Sequence, residues 1–254
     1  MDEFWINFGL YLKNILSEFI IIFILNMNSF FAQHNFDRMS ALFKMEDISP
    51  KTQTHLRNVY GNLMTCTGIC ALGMYLNAYT ILSGFFATIL IFIGMAYAMY
   101  KVTNIYESEH TRIGYLWALA FGMGFMVGPV MHHLAEFEPM ILVQAVSYTT
   151  IIFGSFTAIS IFSKRRSYLF LGGIISSIVS CMFWYRTLSW LFGYARYSSE
   201  FGMVYMMSGL FVACLYIIYD TQMIIGKAER GQKDVPTHTM ILFVDMFELF
   251  IKIV

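Results

Sequence analysis

Apolar residues run through this chain of 254 residues in long blocks rather than in alternation. Seven stretches stand out: about 56–82, 83–100, 113–131, 140–162, 168–185, 201–225, and a shorter one from Met240 onward. Most approach the ~20 residues that a helix needs to cross a bilayer. The alternating pattern of a membrane β-barrel is absent from the sequence. The blocks predict an all-α, polytopic transmembrane helix bundle of six or seven spans, with the last segment short enough to be re-entrant.

Two ionisable residues break this pattern. Asp220 lies in FGMVYMMSGLFVACLYIIYDTQMII and Asp245 in MILFVDMFELFIKIV. A carboxylate at membrane depth costs about 2.5 kcal/mol or more unless it is compensated, so each marks a candidate functional site. Only the polar loop at about 226–238 separates the two runs, which predicts antiparallel neighbours. Asp220 lies six residues before that loop and Asp245 seven after it. At a rise of about 1.5 Å per residue, both sit roughly 9–10 Å below the same interface.

Composition agrees with a membrane protein. Hydrophobic residues make up 58% and charged residues 13%, against about 25% charged in soluble domains, and mean hydropathy is +0.62. Zero net charge gives no electrostatic case for a nucleic-acid partner. The four cysteines lie in apolar runs. Cys66 and Cys70 share one helix face, but no histidine or carboxylate joins them, so buried packing is expected rather than metal ligation or a disulfide framework.

Basic residues set the orientation. Twelve fall on one side of the predicted spans: Arg38, Lys44, Lys51, Arg57, Lys101, Arg112, Lys164, Arg165, Arg166, Lys227, Arg230 and Lys233. Only Arg186 and Arg196 fall on the other. The first side, including the segment before the first span, is therefore expected in the cytosol. Residues 1–26 read as an N-terminal extension. Their apolar core FIIIFIL follows Asp2 and Glu3 instead of a positive start, and Lys13 and Glu18 interrupt the apolar run that leads into it, with a spanning helix as the alternative. Residues 27–55 read as a cytosolic leader, with Ser49 and Pro50 at the turn into the membrane, and 56–254 as the multi-span domain. Gly124 and Gly128 form a small-xxx-small pair for close helix packing, and Gly172 with Gly173 is expected to act similarly. Pro129 is expected to end or kink its helix. His132 and His133 with Glu136 and Glu138 read as a solvated lumenal loop, with a metal or Ca²⁺ entry site as the alternative.

SKRRSYLFLGGIISS (163–177) and YDTQMIIGKAERG (219–231), followed by Asp245 in a final apolar segment, resemble the Bax inhibitor-1, or transmembrane Bax inhibitor motif, family. FGMGFMVGP and the approach to the first span, from Ser49 to Leu56, are similar as well. The resemblance covers about residue 27 to the end. It implies an endoplasmic-reticulum membrane protein of six or seven helices that suppresses cell death, leaks Ca²⁺ and dampens the unfolded-protein response. It also implies that the family's paired aspartates correspond to Asp220 and Asp245. Partners implied are membrane lipid, Bcl-type apoptosis regulators and the stress-sensing kinase of the reticulum; no cofactor is expected beyond Ca²⁺ as the transported ion. Three departures stand beside it. The N-terminal extension has no family counterpart. The chain stops at Val254 within an apolar run, as a shortened chain would, where the family carries a basic tail. The arginine that latches the aspartates in some members is not placed by motif; Arg57 and Arg112 are candidates by loop position.

Two carboxyls within hydrogen-bond reach in a low dielectric share one proton and titrate as a pair, nearer to neutral pH than an isolated carboxyl. Such a pair can sense cytosolic pH and, when ionised, attract Ca²⁺, which prefers oxygen ligands. Glu248 lies about one turn beyond Asp245 and has Lys252 at i+4 for a partner. Lys164, Arg165 and Arg166 set topology, with contact to anionic lipid secondary. Two local alternatives remain: Asp220 as a helix cap near the end of its helix, and Asp245 on an interfacial helix with its acid in water. Two functional alternatives remain as well. One is a non-conducting scaffold. The other is an intramembrane aspartyl protease, which Phe243 and Val244 disfavour, because such proteases carry a glycine-rich stretch before that aspartate.

Overall fold

The computed structural model describes residues 49–79, 85–138, 140–162, 171–191 and 199–254. The expectations for residues 1–26, for most of 27–55, and for Lys164, Arg165 and Arg166 lie outside the described residues. Every regular element described is helical: α1 (Pro50–Tyr79), α2 (Phe85–Thr103), α3 (Glu109–Phe137), α4 (Met140–Phe162), α5 (Leu171–Leu191), α6 (Ser199–Glu229) and α7 (Val235–Ile253). These match the seven apolar stretches one for one. Five helices (α1, α3, α4, α5 and α6) are long and apolar enough to cross a membrane, and α2 supplies a shorter apolar run at Thr88–Thr103.

Helix ends follow from local chemistry. Ser49 precedes Pro50, and its Oγ accepts from the Thr52 N–H at 3.3 Å, while Pro50 occupies the first helical position, where no N–H is needed. Ser108 caps α3 by accepting from the Thr111 N–H. The end of α6 is a Schellman motif: Gln232 N–H bonds Lys227 O, and Gly231 N–H bonds Ala228 O, both at 3.0 Å. Gly231 has φ +88, a conformation that only glycine adopts without strain. The polar loop is therefore 230–234, shorter than the sequence suggested. Gly226, expected in the loop, is buried inside α6.

The chain forms two compact units. The first holds most of α4 and α6, all of α5, and α7 from Phe247. In it the Ser160 hydroxyl of α4 donates to Ile218 O at 3.2 Å, and the Gln222 amide Nε2 donates back to Ser160 O. Gly172 faces the Tyr219 ring, where an added Cβ would lie 2.9 Å from it. Gly173 has open space instead, so only one glycine of that pair serves packing.

The second unit holds α1, α2, α3, the start of α4, the last turn of α6 and α7 as far as Met246. Here α3 packs on α1 and α2. Gly124 sits against the Cys70 backbone and Gly128 against Met74 and Asn77, with Gly73 of α1 against Phe121. These are the close approaches the small-residue spacing predicts. Cys66 and Cys70 are buried and free, as packing residues. Pro129 does not end α3, which runs on to Phe137. A proline at 129 leaves the Phe125 carbonyl without its i+4 donor, and Asn77 Nδ2 from α1 donates to that carbonyl. The neighbouring helix thus replaces the missing bond, as happens in transmembrane helices.

Candidate functional site

Asp220 lies mid-helix, nine residues before the end of α6, and none of its surface is exposed. It is not a helix cap. Thr221 and Gln222 are buried with it. The reciprocal bonds between Ser160 and the Ile218–Gln222 turn fix this part of α6 against α4. Ser160 is thus a positioning residue for the Asp220 turn, unremarked in the sequence because a serine in an apolar helix carries no spacing signal.

Asp245 lies ten residues after the start of α7 and is 3% exposed, so its carboxyl does not face water. Because the loop is shorter than expected, each carboxyl lies roughly 13–15 Å along its helix from the nearer loop end. Asp220 belongs to the first unit and Asp245 to the second. Glu248 is also buried and lines a small apolar cavity of about 10 Å³ with Val179, Met182, Phe183, Tyr205, Gly209 and Val212. The Lys252 Nζ lies near Gly209. Among the described residues, no group of three or more histidine, cysteine or acidic side chains is arranged to hold a metal.

A second polar cluster surrounds the loop between α6 and α7. Arg112 of α3 is buried, and its guanidinium donates to Asp234 Oδ2 at 2.6 Å, to Thr237 Oγ1 at 2.8 Å and to Val102 O at 2.7 Å. One candidate latch is thus engaged with the start of α7. The other, Arg57, is exposed on α1. In the same unit, His55 Nε2 and His238 Nδ1 lie 2.8 Å apart, both rings buried. The Ser49 N–H donates to Glu229 Oε1 at 2.9 Å. His238 precedes the apolar part of α7. Burial holds its pKa down to about 3, helped by Lys227 and His55 and opposed by Asp234, so the ring is neutral at pH 7.

Asp234, Thr237 and His238 were missed in the sequence. A signal was present: Asp234, His238 and Asp245 recur at spacings of four and seven, one face of a helix. His132 and His133 also differ from expectation. They lie in the last turns of α3, not in a loop, 3.5 and 3.4 Å from Glu136, with all three side chains well exposed.

Fold and site together define a multi-pass helical membrane protein with carboxyl groups buried in its apolar helices. Residues 52–254 match the family described as inhibitor of apoptosis-promoting Bax1. The chain is 37% identical over 234 residues to Bax inhibitor 1 of Bos taurus, covering 89% of this chain and 94% of that protein. It is 35% identical over 229 residues to Bax inhibitor 1 of Homo sapiens, covering 89% and 93%. Against Bax inhibitor 1 of Arabidopsis thaliana the identity is 33% over 214 residues, covering 84% of each. The chain belongs to the Bax inhibitor 1 family.

Proposed function

We propose that this protein suppresses cell death from the endoplasmic-reticulum membrane by leaking Ca²⁺ under the control of cytosolic pH. Asp220 and Asp245 act in this reading as a pair that senses protons and receives the ion in transit. The carrying observation is the burial of both carboxyls within apolar helices, at 0% and 3% exposure, where an ionisable group persists at a cost of about 2.5 kcal/mol or more. Apoptosis inhibition comes from the family description and from the names of the relatives. The carboxyl oxygens suit Ca²⁺ as ligands, and their small number suits passage better than storage. Acidification of the cytosol neutralises the pair and weakens any basic latch on it, which opens the path; strong acid then reduces ion recruitment. The protein acts as a conduit rather than as an enzyme.

A second reading, a non-conducting scaffold for apoptosis and stress regulators, is favoured by the family description, which names a protein target. Purified protein in liposomes loaded with a Ca²⁺ reporter separates the two. The leak reading expects Ca²⁺ flux above that of empty liposomes, and its absence would leave the scaffold.

A further inference from the structure

His55 and His238 are 183 positions apart in the chain, yet their ring nitrogens meet at 2.8 Å. The rings stand edge to face, with centroids 5.1 Å apart and planes at 81°. His55 is 4% exposed and His238 3%. A hydrogen bond between two imidazoles requires one N–H donor and one lone-pair acceptor. A proton on the accepting nitrogen removes the bond and puts two donors, and positive charge, at that contact. The surroundings make this costly. Lys227 of α6 bears on His238 and raises the cost of a cationic ring there, and Lys233 of the loop faces His55. Asp234 is the opposing anion, but its Oδ2 is already bonded to Arg112 of α3 at 2.6 Å.

The pair also sits where a release has mechanical consequence. His55 lies in the first turns of α1 and His238 in the first turn of α7. Two further side-chain contacts between these helices are long: Thr239 Oγ1 to Val59 O at 3.4 Å and Thr67 Oγ1 to Met246 Sδ at 3.7 Å. We propose that the His55–His238 hydrogen bond is an acid-released clasp that joins the first turns of α1 to the first turn of α7. It is independent of the carboxyls at Asp220 and Asp245 and of whether the protein conducts Ca²⁺.

The sign follows from linkage. A histidine whose folded pKa is depressed adds stability that is complete above its unfolded pKa, near 6.5, and is lost as pH falls towards about 3. The test is backbone hydrogen–deuterium exchange of the full chain in lipid nanodiscs, corrected for the intrinsic pH dependence of exchange. At residues 52–58 and 238–242, one titrating histidine should lower protection about tenfold between about pH 7.5 and 5.5. His238→Gln keeps a donor and an acceptor but cannot titrate in this range, and should cut the change to less than about twofold. His55→Gln leaves His238 buried beside Lys227 and should keep the drop, which assigns the titration to His238. Asp234→Asn should retain the wild-type drop, since both histidines remain. Equal wild-type protection at the two pH values would overturn the proposal. So would a tenfold drop that survives in His238→Gln, or its disappearance in His55→Gln or Asp234→Asn.

Discussion

Asn77→Leu tests how α3 survives a proline at position 129. Pro129 has no N–H, so the Phe125 carbonyl has no donor within α3, and Asn77 Nδ2 supplies one from α1. Asn77 is 6% exposed, so water does not readily replace it. Leucine has the same branched outline as asparagine, which makes the substitution a test of the bond more than of packing. An orphaned buried acceptor costs about 1–3 kcal/mol, whereas interhelical polar contacts in membranes average about 0.6 and reach about 1.7. The buried Asn77 Oδ1, which has no hydrogen-bond partner among the described residues, offsets part of the loss when it is removed. About 1 kcal/mol is expected, a fall in Tm of roughly 2–4 °C for a chain of this size. The assay is thermal unfolding in detergent, run as a double-mutant cycle with Pro129→Ala. Alanine restores the N–H, so the cost of Asn77→Leu should fall to near zero in that background. An undiminished cost in the Pro129→Ala background would refute the idea that Asn77 fills the gap left by the proline.

Gly124→Val should prevent close packing of α3 on α1, because even a Cβ there collides with the Cys70 backbone. A loss of about 3 kcal/mol or failure to fold is expected, while Gly154→Ala, with open space around it, should unfold at or slightly above the wild-type temperature. Asp234→Ala leaves the buried Arg112 guanidinium without its carboxylate. Since Asp234 is itself 31% exposed, the cost should be about 1–3 kcal/mol, below the ~3–5 of a fully buried pair, and denaturant titration measures it. Ser160→Ala should lower stability by about 1 kcal/mol through loss of one buried hydroxyl bond, read by the same titration.

The helices were legible because apolar blocks of membrane length leave few alternatives to a helix. Their ends were less so. Gly226 looked like the start of a loop, yet the α6 terminator is Gly231, where the Schellman bonds and the positive φ coincide. Pro129 signalled a break that Asn77 repairs from another helix, and no local pattern contains that information. Asp220 and Asp245 were visible because a charge in an apolar run is costly wherever the run folds. The His55–His238 bond was not visible, since tertiary structure alone brings residues so far apart in sequence together. Arg112 was found by its loop position, but its ligands Asp234 and Thr237 lie in a segment that reads as an ordinary polar connection.

The central claim is that the two buried aspartates make Ca²⁺ leak depend on cytosolic pH. Its most direct test is Ca²⁺ efflux from proteoliposomes against external pH for the parent, Asp220→Asn, Asp245→Asn and Glu248→Gln, with protein orientation determined. The parent should leak faster as pH falls modestly below neutral. Each aspartate variant should flatten that dependence, because in the proposed reading the remaining carboxyl has lost its proton-sharing partner, while Glu248→Gln should change it much less. A parental pH profile in both aspartate variants would contradict the account.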